Sequence, residues 1–165
     1  MHMKITREVQ VSAEKCWELL GDFSNIYHIH PMVKTSTPLS ENDRGLGAIR
    51  QCDMYDGNSI QEKVIEWDEE NMSYTITLIK GSLPINQMNA KVSVEANGGT
   101  QSALVCDVEF DPKHGFIGKL MGQLIMKPKF GGALGDMLGG VKYYLDEGDD
   151  VPENWKAPGK AVIVS

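Results

Sequence analysis

Apolar and polar residues alternate along the first two thirds of the chain, and the period then becomes helical. Ile5, Arg7 and Val9 alternate with their neighbours, predicting a first strand. Ser12 then stands as N-cap of a short helix from Ala13 to Leu20, whose Cys16, Trp17, Leu19 and Leu20 share a face. Asp22 caps a second short helix over Phe23, Ile26 and Tyr27, stopped by Pro31. Strands are predicted over Val33–Leu39, Ala48–Tyr55, Ser59–Asp68, Met72–Ile79, Ile85–Ala96 and Ser102–Phe110. Between them lie turn signals such as Asp56-Gly57-Asn58 and Asn97-Gly98-Gly99.

Asp111-Pro112 reads as cap plus first helical position. From there to Glu147, a helical stripe runs through Ile117, Leu120, Met121, Leu124, Ile125, Leu134, Met137, Leu138, Val141 and Leu145. Pro128 is expected to kink or split this helix. Gly118 and Gly122 share one spacing, and Gly131, Gly135 and Gly139 another. Each interior glycine costs roughly 0.5–1 kcal/mol against alanine, so the run implies close backbone approach or deliberate space. Residues 148–165 form a tail in which Ala161–Val164 adds an edge strand, to this chain or to a partner. The expected class is α+β: a curved antiparallel sheet of about seven strands around a long C-terminal helix, with two short helices after the first strand. Residues 1–147 are expected to form that domain.

Composition narrows the function. With 165 residues, one core fits without staples. The net charge of -7 opposes nucleic acid and anionic lipid. Cys16, Cys52 and Cys106 are widely spaced, as expected of reduced thiols in the cytoplasm. No apolar run reaches the ~20 residues of a membrane span. There is no nucleophile elbow or phosphate loop, and no cofactor is called for.

Four pieces of sequence resemble one superfamily. They are Val11–Trp17 with Gly21-Asp22-Phe23-Ser24; Gly47–Arg50 with Asp56-Gly57, Gln61–Val64 and Trp67-Asp68; Leu83-Pro84-Ile85; and Glu109–Pro112. Their order and spacing are similar to the START/Bet v 1-like (SRPBCC) superfamily, in its bacterial polyketide cyclase/dehydrase-like branch. That resemblance implies a helix-grip fold with a cavity between sheet and helix. More distantly the chain resembles plant abscisic-acid receptors, in which a basic residue after the short helices, an arginine on the third strand and a glutamate on the fourth face the ligand. By motif position these fall on His30, Arg50 and Glu62. The receptors' gate loop is absent, their later loop motif is replaced by Leu83-Pro84-Ile85, and a cavity tyrosine falls on Met88, so hormone sensing is not implied.

Arg50 and Glu62 lie on strands joined by the Asp56-Gly57 turn, within cross-strand reach. Either they hold a ligand's carboxylate or carbonyl and move a proton, or they are a structural ion pair. His30 is a candidate donor or acid/base group. His28 and His30 also have the spacing of two metal ligands on an extended segment, with no third ligand nearby. Tyr74, Leu83 and Met88 from the sheet side, and Met121, Leu134 and Met137 from the helix, complete the expected lining. Methionines suit a soft cavity.

Three functions compete. The first is binding or carriage of a small, largely apolar ligand with one polar end. The second is a cyclase, dehydratase or hydratase using His30 or Glu62 as acid/base and Arg50 to stabilise an enolate or carboxylate. The third is a protein-interaction module, with the acidic tail or a free sheet edge as the contact; a homodimer is a separate candidate assembly. The shortage of acid/base groups favours the first.

Overall fold

The computed structural model describes residues 1–113 and 120–164. The elements run β1 (His2–Val9), α1 (Ala13–Leu20), a 3-10 helix (Phe23–His28), β2 (Val33–Pro38), β3 (Ile49–Met54), β4 (Ser59–Asp68), β5 (Ser73–Gly81), β6 (Ile85–Ala96) and β7 (Ser102–Pro112). A π-helical turn (Gly122–Met126), α2 (Lys127–Glu147) and β8 (Val162–Val164) follow. The strands make one eight-stranded antiparallel sheet in the order β2-β3-β4-β5-β6-β7-β1-β8. Bulges between Gln61 and Glu62, Val64 and Glu66, and Ile85 and Gln87 bend the strands, and the sheet wraps α2 as a helix grip.

Strand parity decides what faces the helix. Along β7, Leu104, Cys106, Val108 and Phe110 are buried, and on β3 so are Arg50 and Cys52. Met3, Ile5, Leu138 and Val141 join them where α2 lies on the sheet. At one end Trp17, Trp67 and Tyr74 pack together, with Trp67 stacked on Tyr74 at 5.7 Å. The Glu69 carboxylate accepts from both indoles, at 2.8 and 2.9 Å, and from Arg44 at 2.8 Å.

Several sequence expectations need correction. Asp111 and Pro112 do not open a helix; they end β7, opposite Gln87 and Ile85. A proline at the last strand position removes no needed donor from the ladder. Ile117 and Gly118 lie outside the described residues. Ser12 sits at the helix start, yet its side chain makes no cap bond; its backbone carbonyl accepts from the Cys16 N–H at 3.1 Å. Asp22 likewise gives its carboxylate to the Asn25 side-chain amide rather than to helix N–H groups.

Pro128 leaves α2 unbroken, but the turn before it is π-helical. Proline has no N–H for the bond to the carbonyl four residues back, and the wider turn takes up that defect. The extra residue shifts the phase of the apolar stripe. Leu134, Met137, Leu138 and Val141 turn inward, whereas Leu120 and Leu124 are 50% and 69% exposed. Leu145, in the last turn, is also exposed.

The glycine run has a specific neighbour. A Cβ added at Gly131, Gly135 or Gly139 would meet Ile163, Ala161 or Ala157 at 3.0, 2.9 and 2.4 Å. The C-terminal segment therefore lies in a groove that these glycines cut into α2. The Asp136 carboxylate accepts from Lys156 Nζ at 2.9 Å and from the Ala157 N–H at 3.0 Å. Arg7 of β1 donates to the carbonyls of Gly135 and Pro158, at 2.8 and 3.0 Å. β8 then pairs with β1 of the same chain.

Candidate functional site

A cavity of about 400 Å³ lies between the concave face of the sheet and α2. Its walls include Met88 from β6, Cys106, Val108 and Phe110 from β7, and Leu134 and Met137 from α2. The polar groups gather where β3 and β4 pass the segment after the 3-10 helix. Arg50 and Glu62 are directly opposed in the antiparallel register. Both are buried, at 5% and 4% exposure. Arg50 Nε donates to Glu62 Oε2 at 2.9 Å, and Nη2 lies 2.8 Å from the same oxygen. Nη1 donates to the Phe23 carbonyl at 2.6 Å, and the guanidinium lies 4.1 Å from the centre of the Phe23 ring. Arg50 and Glu62 are thus paired with each other within the protein itself.

Burial alone lowers the Arg50 pKa, but Glu62 beside it more than offsets this, so the net direction is upward. Glu62 Oε2 takes all the contacts with Arg50, and the Cys52 thiol lies 3.9 Å from it. Glu62 Oε1 and the Tyr74 hydroxyl have no protein hydrogen bond among the described residues, and both side chains line the cavity. Burial pushes Tyr74 upward, against the pull of Arg50, so it stays a neutral phenol.

His30 also lines the cavity. Its Nδ1 accepts from the Met32 N–H at 3.2 Å. A neutral imidazole held this way carries its proton on Nε2. Burial first, and then the Arg50 charge, holds His30 down at about 4. His30 is therefore a neutral donor at physiological pH. His28 faces away and pairs with Asp150 of the tail. Among the described residues no group of three potential ligands is placed to hold a metal.

All nine candidate residues border this cavity: His30, Arg50, Glu62, Tyr74, Leu83, Met88, Met121, Leu134 and Met137. Met121 does so from the rim, with 51% of its surface exposed, because the π-helical turn rotates it outward. Sequence reasoning missed Cys52, Met54, Phe110 and Phe130. The period of two from Arg50 already points to Cys52 and Met54, and that from Val108 to Phe110. No comparable signal marks Phe130, whose phase depends on the π-helical turn. Burial raises the Cys52 and Cys106 thiols to about 12 and Cys16 to about 11, so none is a ready nucleophile.

No curated protein matches the sequence. Solved structures match in fold. XoxI from Bacillus cereus is 21% identical with a TM-score of 0.72, covering 89% of this chain and 97% of that one. Norcoclaurine synthase from Thalictrum flavum is 19% identical with a TM-score of 0.69, covering 89% and 87%. The Zhui aromatase/cyclase from Streptomyces sp. R1128 is 14% identical with a TM-score of 0.70, covering 92% and 99%. Identities this low carry the architecture and not the chemistry. The sequence itself goes further, because the family model described as polyketide cyclase / dehydrase and lipid transport matches residues 1–146. A match over seven of the eight strands and almost all of α2, on a helix-grip fold with an interior cavity, means that the chain belongs to that family.

Proposed function

We propose that the protein binds and carries a small, largely apolar molecule whose one polar end sits at His30, Arg50, Glu62 and Tyr74. Leu83, Met88, Met121, Leu134 and Met137 form the soft apolar wall. The observation that carries this reading is the cavity of about 400 Å³ beside a buried, self-paired Arg50–Glu62 unit. At interior packing density that space suits roughly 15–20 non-hydrogen atoms. Family membership supports binding and cyclase chemistry alike.

A second reading, a cyclase or dehydratase, draws on Glu62 Oε1 as a proton acceptor and the His30 Nε2–H as a donor that polarises a carbonyl. Against it stand the depressed His30 pKa and, among the described residues, the absence of a free cation beside Glu62 for an enolate.

Native mass spectrometry of freshly purified protein tests the proposal, together with uptake of the neutral dye N-phenyl-1-naphthylamine. The expected result is a bound small molecule, or one dye per chain, recovered chemically unchanged. Protein that carries no mass and takes up no dye overturns the reading. Recovery of a converted molecule favours the enzyme.

A further inference from the structure

Resting on the ligand-carrying reading above, we infer that the buried end of the ligand is an uncharged hydroxyl, an alcohol or a phenol, and not a carboxylate. Among the described residues, the deep end of the cavity holds one full cation, Arg50, and it is already used. Arg50 gives two of its nitrogens to Glu62 Oε2 and a third to the Phe23 carbonyl, and it lies against the Phe23 ring. A carboxylate entering here finds no free positive charge among the described residues of the deep end. It does find Glu62 Oε1, a like charge in a region of low dielectric. The lysines that border the cavity, Lys113 and Lys129, are both exposed.

Among the described residues, what remains unpaired there is one acceptor, one donor and one group that serves as either. Glu62 Oε1 accepts. The His30 ring, whose Nδ1 is held by the Met32 N–H, offers its Nε2–H. The Tyr74 hydroxyl does both. A ligand hydroxyl matches that set: it donates to Glu62 and accepts from His30 or Tyr74. Donation to an ionised oxygen is among the stronger neutral–charged hydrogen bonds.

The test is displacement of N-phenyl-1-naphthylamine by three matched bicyclic probes: naphthalene, 2-naphthol and 2-naphthoate. At neutral pH a phenol with a pKa near ~10 is uncharged, whereas a carboxylic acid near ~4 is ionised. Salt at about 0.5 M screens Lys113 and Lys129, so that naphthoate gains nothing from the rim. The expected result is that 2-naphthol competes at least about tenfold better than either other probe, the size of one such hydrogen bond. Glu62→Gln removes the negative charge and leaves Arg50 unneutralised, so the preference should swing toward naphthoate. A purely apolar cavity would show no such swing. If Glu62→Gln fails to fold, Tyr74→Phe replaces it and should weaken 2-naphthol while leaving naphthalene unchanged. Wild-type protein that takes naphthoate as tightly as naphthol, or naphthalene as tightly as naphthol, overturns this inference and leaves ligand carriage standing. Failure to take up the dye or any probe overturns ligand carriage itself.

Discussion

Arg50 and Glu62 are a buried pair in which each side chain neutralises the other. Their attraction offsets a desolvation cost of several kcal/mol per ion, and the Phe23 carbonyl takes up a further donor. Removing one partner strands the other in a dry interior. Arg50→Ala or Glu62→Ala should therefore each cost about 3–5 kcal/mol. Replacing both at once, with Arg50→Met and Glu62→Leu, should cost less than either single change, because no charge is left unpaired. Urea unfolding midpoints at constant slope measure this. Strictly additive losses would mean that the two residues do not act as a pair. The double variant should also bind naphthalene and lose its preference for naphthol, which separates the fold from the site.

At the scale of the element, α2 is shaped by what crosses it. Its glycines have different neighbours and should respond with opposite signs. Gly132 has open space where a Cβ would stand, so Gly132→Ala should stabilise the protein by about 0.5–1 kcal/mol through helix propensity. A Cβ at Gly140 would lie 2.1 Å from the Ile29 carbonyl oxygen, a backbone atom with little freedom to move. Gly140→Ala should destabilise by about 1–3 kcal/mol, the usual cost of overpacking. Thermal unfolding of the two variants side by side decides the matter; equal shifts would mean that α2 does not pack as described. Ile29 directly precedes His30, so Gly140→Ala should also loosen the donor end of the cavity.

Across the whole molecule, pH reports the state of the cavity. His30 titrates at about 4 in the folded protein, against about 6.5 when free. The unfolded chain then takes up the proton first, so acid favours unfolding. The contribution of His30 is complete above about 6.5 and is lost as pH falls toward about 4, with a slope of up to ~1.4 kcal/mol per pH unit. His30→Gln should flatten the stability profile in that window. An unchanged profile would show that His30 is solvated and not part of a dry cavity. The exposed carboxylates Asp56, Asp68 and Glu69 are held low by their hydrogen bonds, so their loss falls at more acid pH. Among the described residues no helix is long and apolar enough to cross a membrane.

Period and turn chemistry in the sequence determined the order of the elements along the chain, the two short helices, the long C-terminal helix and the cross-strand reach of Arg50 and Glu62. These are local signals, and alternation or a two-residue turn carries them without help from the rest of the chain. The tertiary structure alone decided the rest. Asp111-Pro112 is compatible with a helix start and with a strand end, and only pairing with β6 chooses between them. The phase of Met121 and Leu124 depends on one wide turn forced by Pro128, which a period of 3.6 does not foresee. The space cut by Gly131, Gly135 and Gly139 was legible in the sequence, but its occupant was not. That occupant is the C-terminal segment from Ala157 to Ile163, brought back by Asp136 and Arg7. The tautomer of His30 was equally hidden, because one backbone N–H, at Met32, fixes which nitrogen faces the cavity.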